Sequence, residues 1–70
     1  NMKETSALGE LIRRIVERGT TVVMVEHDMD LVMRISDRIL VLNYGEVIAS
    51  GTPAEIQKDP SVIAAYLGEE

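Results

Sequence analysis

Thr20-Thr21-Val22-Val23-Met24-Val25-Glu26-His27-Asp28 is the stretch on which the fold turns. Its first six residues are β-branched or apolar, with no polar alternation. Such a run predicts a strand over 20–25 that is covered on both faces, as in a parallel sheet. Glu26, His27 and Asp28 then end the run abruptly. Asp28 or Asp30 can cap a following helix, expected over 29–36, with Leu31, Val32 and Ile35 on its buried side. Asp37-Arg38 closes that helix, and Ile39-Leu40-Val41-Leu42 predicts a second buried strand. Strand, helix, strand is a crossover unit, so the two strands are expected to be parallel. The fold class is α/β.

On the N-terminal side, Leu8, Leu11, Ile12, Ile15 and Val16 recur at three- and four-residue spacing and predict an amphipathic helix over 4–18. Glu4 lies early and Arg13, Arg14 and Arg18 lie late, which suits the helix dipole. Gly19 is a natural stop. Gly9 sits mid-helix at a cost of about 1 kcal/mol against alanine, and close packing is the simplest reason for it. On the C-terminal side, Asn43-Tyr44-Gly45-Glu46 predicts a tight turn with positive φ at Gly45, after which 47–50 returns antiparallel. In Thr52-Pro53-Ala54-Glu55 the threonine caps, the proline fits the first helical position and the glutamate completes a capping box. Asp59-Pro60 starts another short helix, with Val62, Ile63, Tyr66 and Leu67 as its apolar residues and Gly68 as its end.

Composition narrows the function classes. The chain has 70 residues, 46% of them hydrophobic, which excludes a disordered polar tail. The longest apolar run, Val22 to Val25, is far shorter than the roughly 20 residues that span a bilayer. No charged-then-apolar leader is present in this stretch. With no cysteine, neither disulfides nor a zinc-thiolate site can brace the core. Twelve acidic against seven basic residues give a net charge of −5, so nucleic acid is not an expected partner. Phe and Trp are absent, and a core of aliphatic residues in so short a chain is thin. The expectation is a piece of a larger domain, or a chain that needs another to complete its sheet.

Glu26-His27-Asp28 is the one concentrated polar cluster. Ligands of open α/β sheets bind outside the carboxyl ends of the strands, which is where His27 is expected. If strand geometry persists, the side chains at 26 and 28 point away from that at 27, so the three do not converge on a metal. Position alone leaves three readings of His27. It is a polar strand end beside a helix cap, a contact to an anionic ligand, or a general base or metal ligand. Ser36, Ser50 and Ser61 have no local base, and neither a Walker-type phosphate loop nor a dinucleotide fingerprint occurs. Met24, Met29 and Met33 fall on predicted buried faces as core filler.

Three segments taken in order carry a resemblance. They are Thr21-Val22-Val23-Met24-Val25-Glu26-His27-Asp28-Met29, then Asp37-Arg38-Ile39-Leu40-Val41-Leu42, then Gly45-Glu46-Val47-Ile48-Ala49-Ser50-Gly51-Thr52-Pro53-Ala54-Glu55-Ile56. Together, over roughly residues 20–57, they resemble the C-terminal part of an ABC transporter ATP-binding subunit. The tail from Gln57 to Gly68 is similar to the branch that serves importers of branched-chain and other hydrophobic amino acids. Asn1 to Thr5 resembles the segment just past the family's D-loop, although Met2 stands where a proline is common.

The resemblance implies a C-terminal portion of a P-loop NTPase (RecA-like) domain, with parallel strands, a C-terminal β-hairpin and short helices. Residues 1–70 would run from the switch-histidine region to the C-terminus, with Walker A, Q-loop, signature loop and Walker B upstream of Asn1. His27 matches the switch histidine, which contacts the γ-phosphate of ATP and positions the attacking water. Glu26 does not match the family's general base. ATP and Mg2+ are implied for the parent protein, and no tight binding is expected of the 70 residues alone, which should not hydrolyse ATP. A second ATPase subunit and transmembrane permease subunits are the implied partners, and the implied place is the cytoplasmic face of the membrane. In the family's sheet the strands matching 20–25 and 38–43 are separated by the strand that leads into Walker A. A small non-enzymatic α/β interaction or assembly module is the alternative.

Overall fold

The computed structural model describes residues 1–67. The chain divides into two compact units, Asn1–Ile35 and the residues from Ser36 onward.

The first unit is built on α1 (Met2–Glu17) and α2 (Met29–Ile35). α1 begins two residues earlier than its apolar spacing predicts, because Asn1 caps it. Glu4 N–H donates to Asn1 Oδ1 (2.9 Å) and the Asn1 amino group donates to Glu4 Oε1 (3.0 Å), a complete capping box. At the other end Gly19 N–H donates to the Val16 carbonyl (2.9 Å) and Thr20 N–H to the Ile15 carbonyl (3.4 Å). With Gly19 at φ +98°, this is a Schellman closure, and it places the stop at the predicted glycine. Gly9 is the buried residue of α1. A Cβ there would lie 3.2 Å from Ile35 Cγ2 and 3.4 Å from Leu31 Cδ1, so the glycine lets α2 approach closely. Leu31 is the buried residue of α2. The apolar stripe of α1 is only partly covered. Ile12 and Val16 are half-buried, whereas Leu8, Leu11 and Ile15 are exposed.

Residues 20–28 form no strand. This corrects the expectation of a covered strand over 20–25, and with it the parallel pair. Val23 is 88% and Val25 96% exposed. The physical reason is that a strand satisfies its N–H and C=O groups through a neighbour, and a parallel strand needs one on each side to bury such a run.

The second unit holds the one sheet among the described residues, an antiparallel pair of β1 (Ile39–Asn43) and β2 (Glu46–Gly51). Tyr44 (φ +50°) and Gly45 (φ +77°) form its two-residue turn, both in the left-handed region that a primed hairpin turn requires. The register runs from Asn43 opposite Glu46 to Ile39 opposite Gly51. Val41 pairs with Ala49 and Leu42 with Val47, leaving Ile48 as the extra residue of a bulge. β1 is buried on one face, not both. Ile39 and Val41 are buried while Leu40 and Leu42 are exposed.

α3 (Pro53–Lys58) and α4 (Pro60–Val62) pack against β2, and Ile56 and Val62 complete the core with Ile39 and Val41. The Thr52 capping box forms as predicted. Glu55 N–H donates to Thr52 Oγ1 (3.3 Å) and Thr52 N–H donates to Glu55 Oε1 (2.9 Å). Asp59 caps α4 through Ser61 N–H (2.8 Å) and Val62 N–H (3.3 Å). A π-helical turn over Ile63–Leu67 follows, and the stop predicted at Gly68 lies outside the described residues. Tyr66 hydroxyl donates to the Leu42 carbonyl. Leu42 pairs with Val47 beside the bulge, so this bond ties the π-helical turn back onto β1. No helix is long and apolar enough to cross a membrane among the described residues.

Candidate functional site

His27 lies in the extended segment just before α2, and its side chain is exposed. It does not sit at a strand end, because that strand is not formed. Its position is fixed locally by the two carboxylates beside it. Glu26 Oε1 accepts from His27 N–H (3.1 Å) and from Asp28 N–H (3.0 Å). Asp28 Oδ1 accepts from Leu31 N–H (3.2 Å), and the Asp28 carbonyl accepts from Val32 N–H (3.0 Å). Asp28, one of the two predicted caps, is therefore the N-cap of α2. Glu26 and Asp28 each turn one carboxylate oxygen onto backbone donors, while the His27 side chain is exposed to solvent. Chemically, an exposed imidazole at the head of a capped helix can donate or accept one directional hydrogen bond. No group of three His, Cys, Asp or Glu side chains could hold a metal among the described residues.

Sequence reasoning missed Arg13. Its Nη1 donates to the Ile35 carbonyl (3.1 Å), the last residue of α2. The signal was available in the spacing: Gly9 and Arg13 are four apart and share a face of α1, so a close approach at one places α2 within reach of the other. A surface groove between the two helices is lined by Ser6, Glu10, Arg13, Arg14, Glu17 and Arg34, a mixture of both charge signs.

Comparison with known proteins bears on this geometry. The family described as Branched-chain amino acid ATP-binding cassette transporter matches residues 46–70. The high-affinity branched-chain amino acid transport ATP-binding protein LivG of Salmonella typhimurium is 56% identical over 70 residues, and LivG of Escherichia coli K12 is 54% identical. The corresponding protein BraF of Pseudomonas aeruginosa is 53% identical. Each match covers 99% of this chain and 28% of the relative, so the chain spans a little over a quarter of the length of the curated relatives it matches. No solved structure matches. The resemblance carried by residues 20–57 and by the tail therefore holds along the chain: it is similar in sequence to the ATP-binding proteins of branched-chain amino acid ABC transporters.

Proposed function

We propose that this chain is the C-terminal portion of the RecA-like P-loop NTPase domain of a subunit whose ATP hydrolysis drives import of branched-chain amino acids. The observation that carries the reading is the 56% identity, over 99% of the chain, to a branched-chain amino acid transport ATP-binding protein. On this reading the whole subunit uses ATP and Mg2+, pairs with a second ATPase subunit and docks on transmembrane permease subunits at the cytoplasmic face of the membrane.

The role proposed for His27 is a hydrogen bond to the γ-phosphate that helps hold the attacking water in line. The residues present fit one such contact. The imidazole is exposed, and the adjacent carboxylates are turned onto backbone N–H groups. They do not fit the binding of the whole nucleotide or of Mg2+, which this reading assigns to Walker A, Walker B, Q-loop and signature residues elsewhere in the subunit. The 70 residues by themselves are accordingly inactive.

The uncovered valines support the same reading. A chain that leaves Val23 and Val25 almost fully exposed forgoes about 1.5–3 kcal/mol for each side chain that could be buried. A sheet that supplies a strand between residues 20–25 and 39–43 would recover that energy. In the full-length subunit, His27→Ala is expected to lower turnover by about 10²-fold, with ATP binding changed by less than about threefold. Turnover equal to the unsubstituted subunit removes the role.

A further inference from the structure

We infer that Arg13 is a positioning residue for His27, acting through α2. The inference rests on the role proposed for His27 above. Every contact it uses lies within Asn1–Ile35.

The backbone of His27 is tied to the start of α2. Glu26 Oε1 bridges the N–H groups of His27 and Asp28, and Asp28 caps the helix through Leu31 N–H. Wherever the first turn of α2 goes, His27 goes with it. α2 has only seven residues and is too short to be stable alone, so its pose is set by what holds it. Two features of one face of α1 hold it. Leu31, which is 2% exposed, and Ile35 close on Gly9, where a Cβ would lie only 3.2 Å from Ile35 Cγ2 and 3.4 Å from Leu31 Cδ1. One turn along, Arg13 Nη1 donates to the Ile35 carbonyl. That carbonyl is among those a helix end leaves without an internal partner, and it lies at the negative end of the helix dipole. A charged N–H donor such as the guanidinium satisfies both conditions.

The consequence is mechanical. The C-terminal end of α2 is fixed by Arg13, its middle is seated on Gly9, and its N-terminal end carries His27. At 1.5 Å rise per residue α2 is about 10 Å long, so a tilt of about 6° at the Arg13 end moves the His27 end by about 1 Å. A misplacement of about 1 Å in a group that must meet a reacting phosphoryl can cost up to about 10²-fold in rate.

The test uses the full-length subunit with Arg13→Ala, Arg13→Lys and, as reference, His27→Ala. Turnover, KM for ATP, amide exchange over α2 and the His27 imidazole resonances, assigned by their loss in His27→Ala, are measured together. Arg13→Ala is expected to lower kcat about tenfold and leave KM within about twofold. It is also expected to speed α2 exchange and to move the imidazole resonances. Arg13→Lys, which keeps a charged donor, is expected to recover most of kcat. Should Arg13→Ala not fold, Arg13→Gln takes its place in the same comparison. Faster α2 exchange with kcat and the imidazole resonances unmoved would reduce Arg13 to a strut and overturn the inference. So would kcat and KM worsening together without recovery by lysine. If His27→Ala leaves turnover intact, the proposed role of His27 fails, and the imidazole resonances in Arg13→Ala still decide whether Arg13 positions that ring.

Discussion

Leu40 and Val41 are neighbours in β1 that face opposite sides of the hairpin, and alanine at each distinguishes this hairpin from the sheet proposed for the whole subunit. Val41 is 6% exposed. Removing its two methyl groups forfeits about 0.8 kcal/mol each and leaves a small cavity, so Val41→Ala should cost about 2 kcal/mol. Leu40 is 61% exposed. A buried leucine changed to alanine costs about 2–5 kcal/mol, and scaling by the buried share of Leu40 gives about 1 kcal/mol. In the 70-residue chain Val41→Ala is therefore the more damaging by about twofold. If a central parallel strand and its helices cover the outer face in the full-length subunit, Leu40→Ala rises to about 3 kcal/mol and overtakes it. Urea unfolding followed by far-ultraviolet circular dichroism on both lengths reads this directly, provided the slopes stay equal. A Leu40→Ala cost in the full-length subunit no greater than about 1 kcal/mol refutes the covered sheet. Equal costs for the two variants in the 70-residue chain refute the one-sided burial of the hairpin.

Thr52→Ala removes the hydroxyl that accepts from Glu55 N–H and should cost about 1 kcal/mol, read as a lower urea midpoint and faster exchange in α3. Gly9→Val places a branched side chain where even a Cβ would lie 3.2 Å from Ile35 Cγ2. It should loosen α2 from α1 by about 1–3 kcal/mol, seen as faster exchange at Leu31 and Val32 with α1 retained.

What the sequence discloses divides along the range of the interactions. The Thr52 and Asp59 caps, the Gly19 stop and the Tyr44-Gly45 turn each depend on residues within about five positions, and all of them form where the spacing places them. Spacing leaves Asp28 and Asp30 equally eligible as the cap, and the Leu31 N–H bond to Asp28 decides between them. Ile48 was not legible as a bulge, because a bulge is a property of two strands and no residue type requires it. Gly9 announced a close approach without saying to what, and Arg13 read as one of several late basic residues. Its partner, the Ile35 carbonyl, is 22 positions away.

Residues 20–25 show the same division from the other side. Their composition is that of an interior strand, and the helix after them forms without the strand before it. A helix pairs its own backbone, and seven residues suffice here because a cap, a glycine notch and a guanidinium hold them. A strand has no such recourse. His27 stands at the junction of these two cases. In the described residues its tether runs through the Glu26 carboxylate and Asp28 into α2, while Val25 on the other side is 96% exposed. Were 20–25 paired in a larger sheet, the backbone of His27 would be anchored from both directions, the strand fixing its position and α2 its orientation. The in-line phosphoryl contact proposed for His27 would need both, so the exposed valines and the Arg13 bond bear on the same proposal.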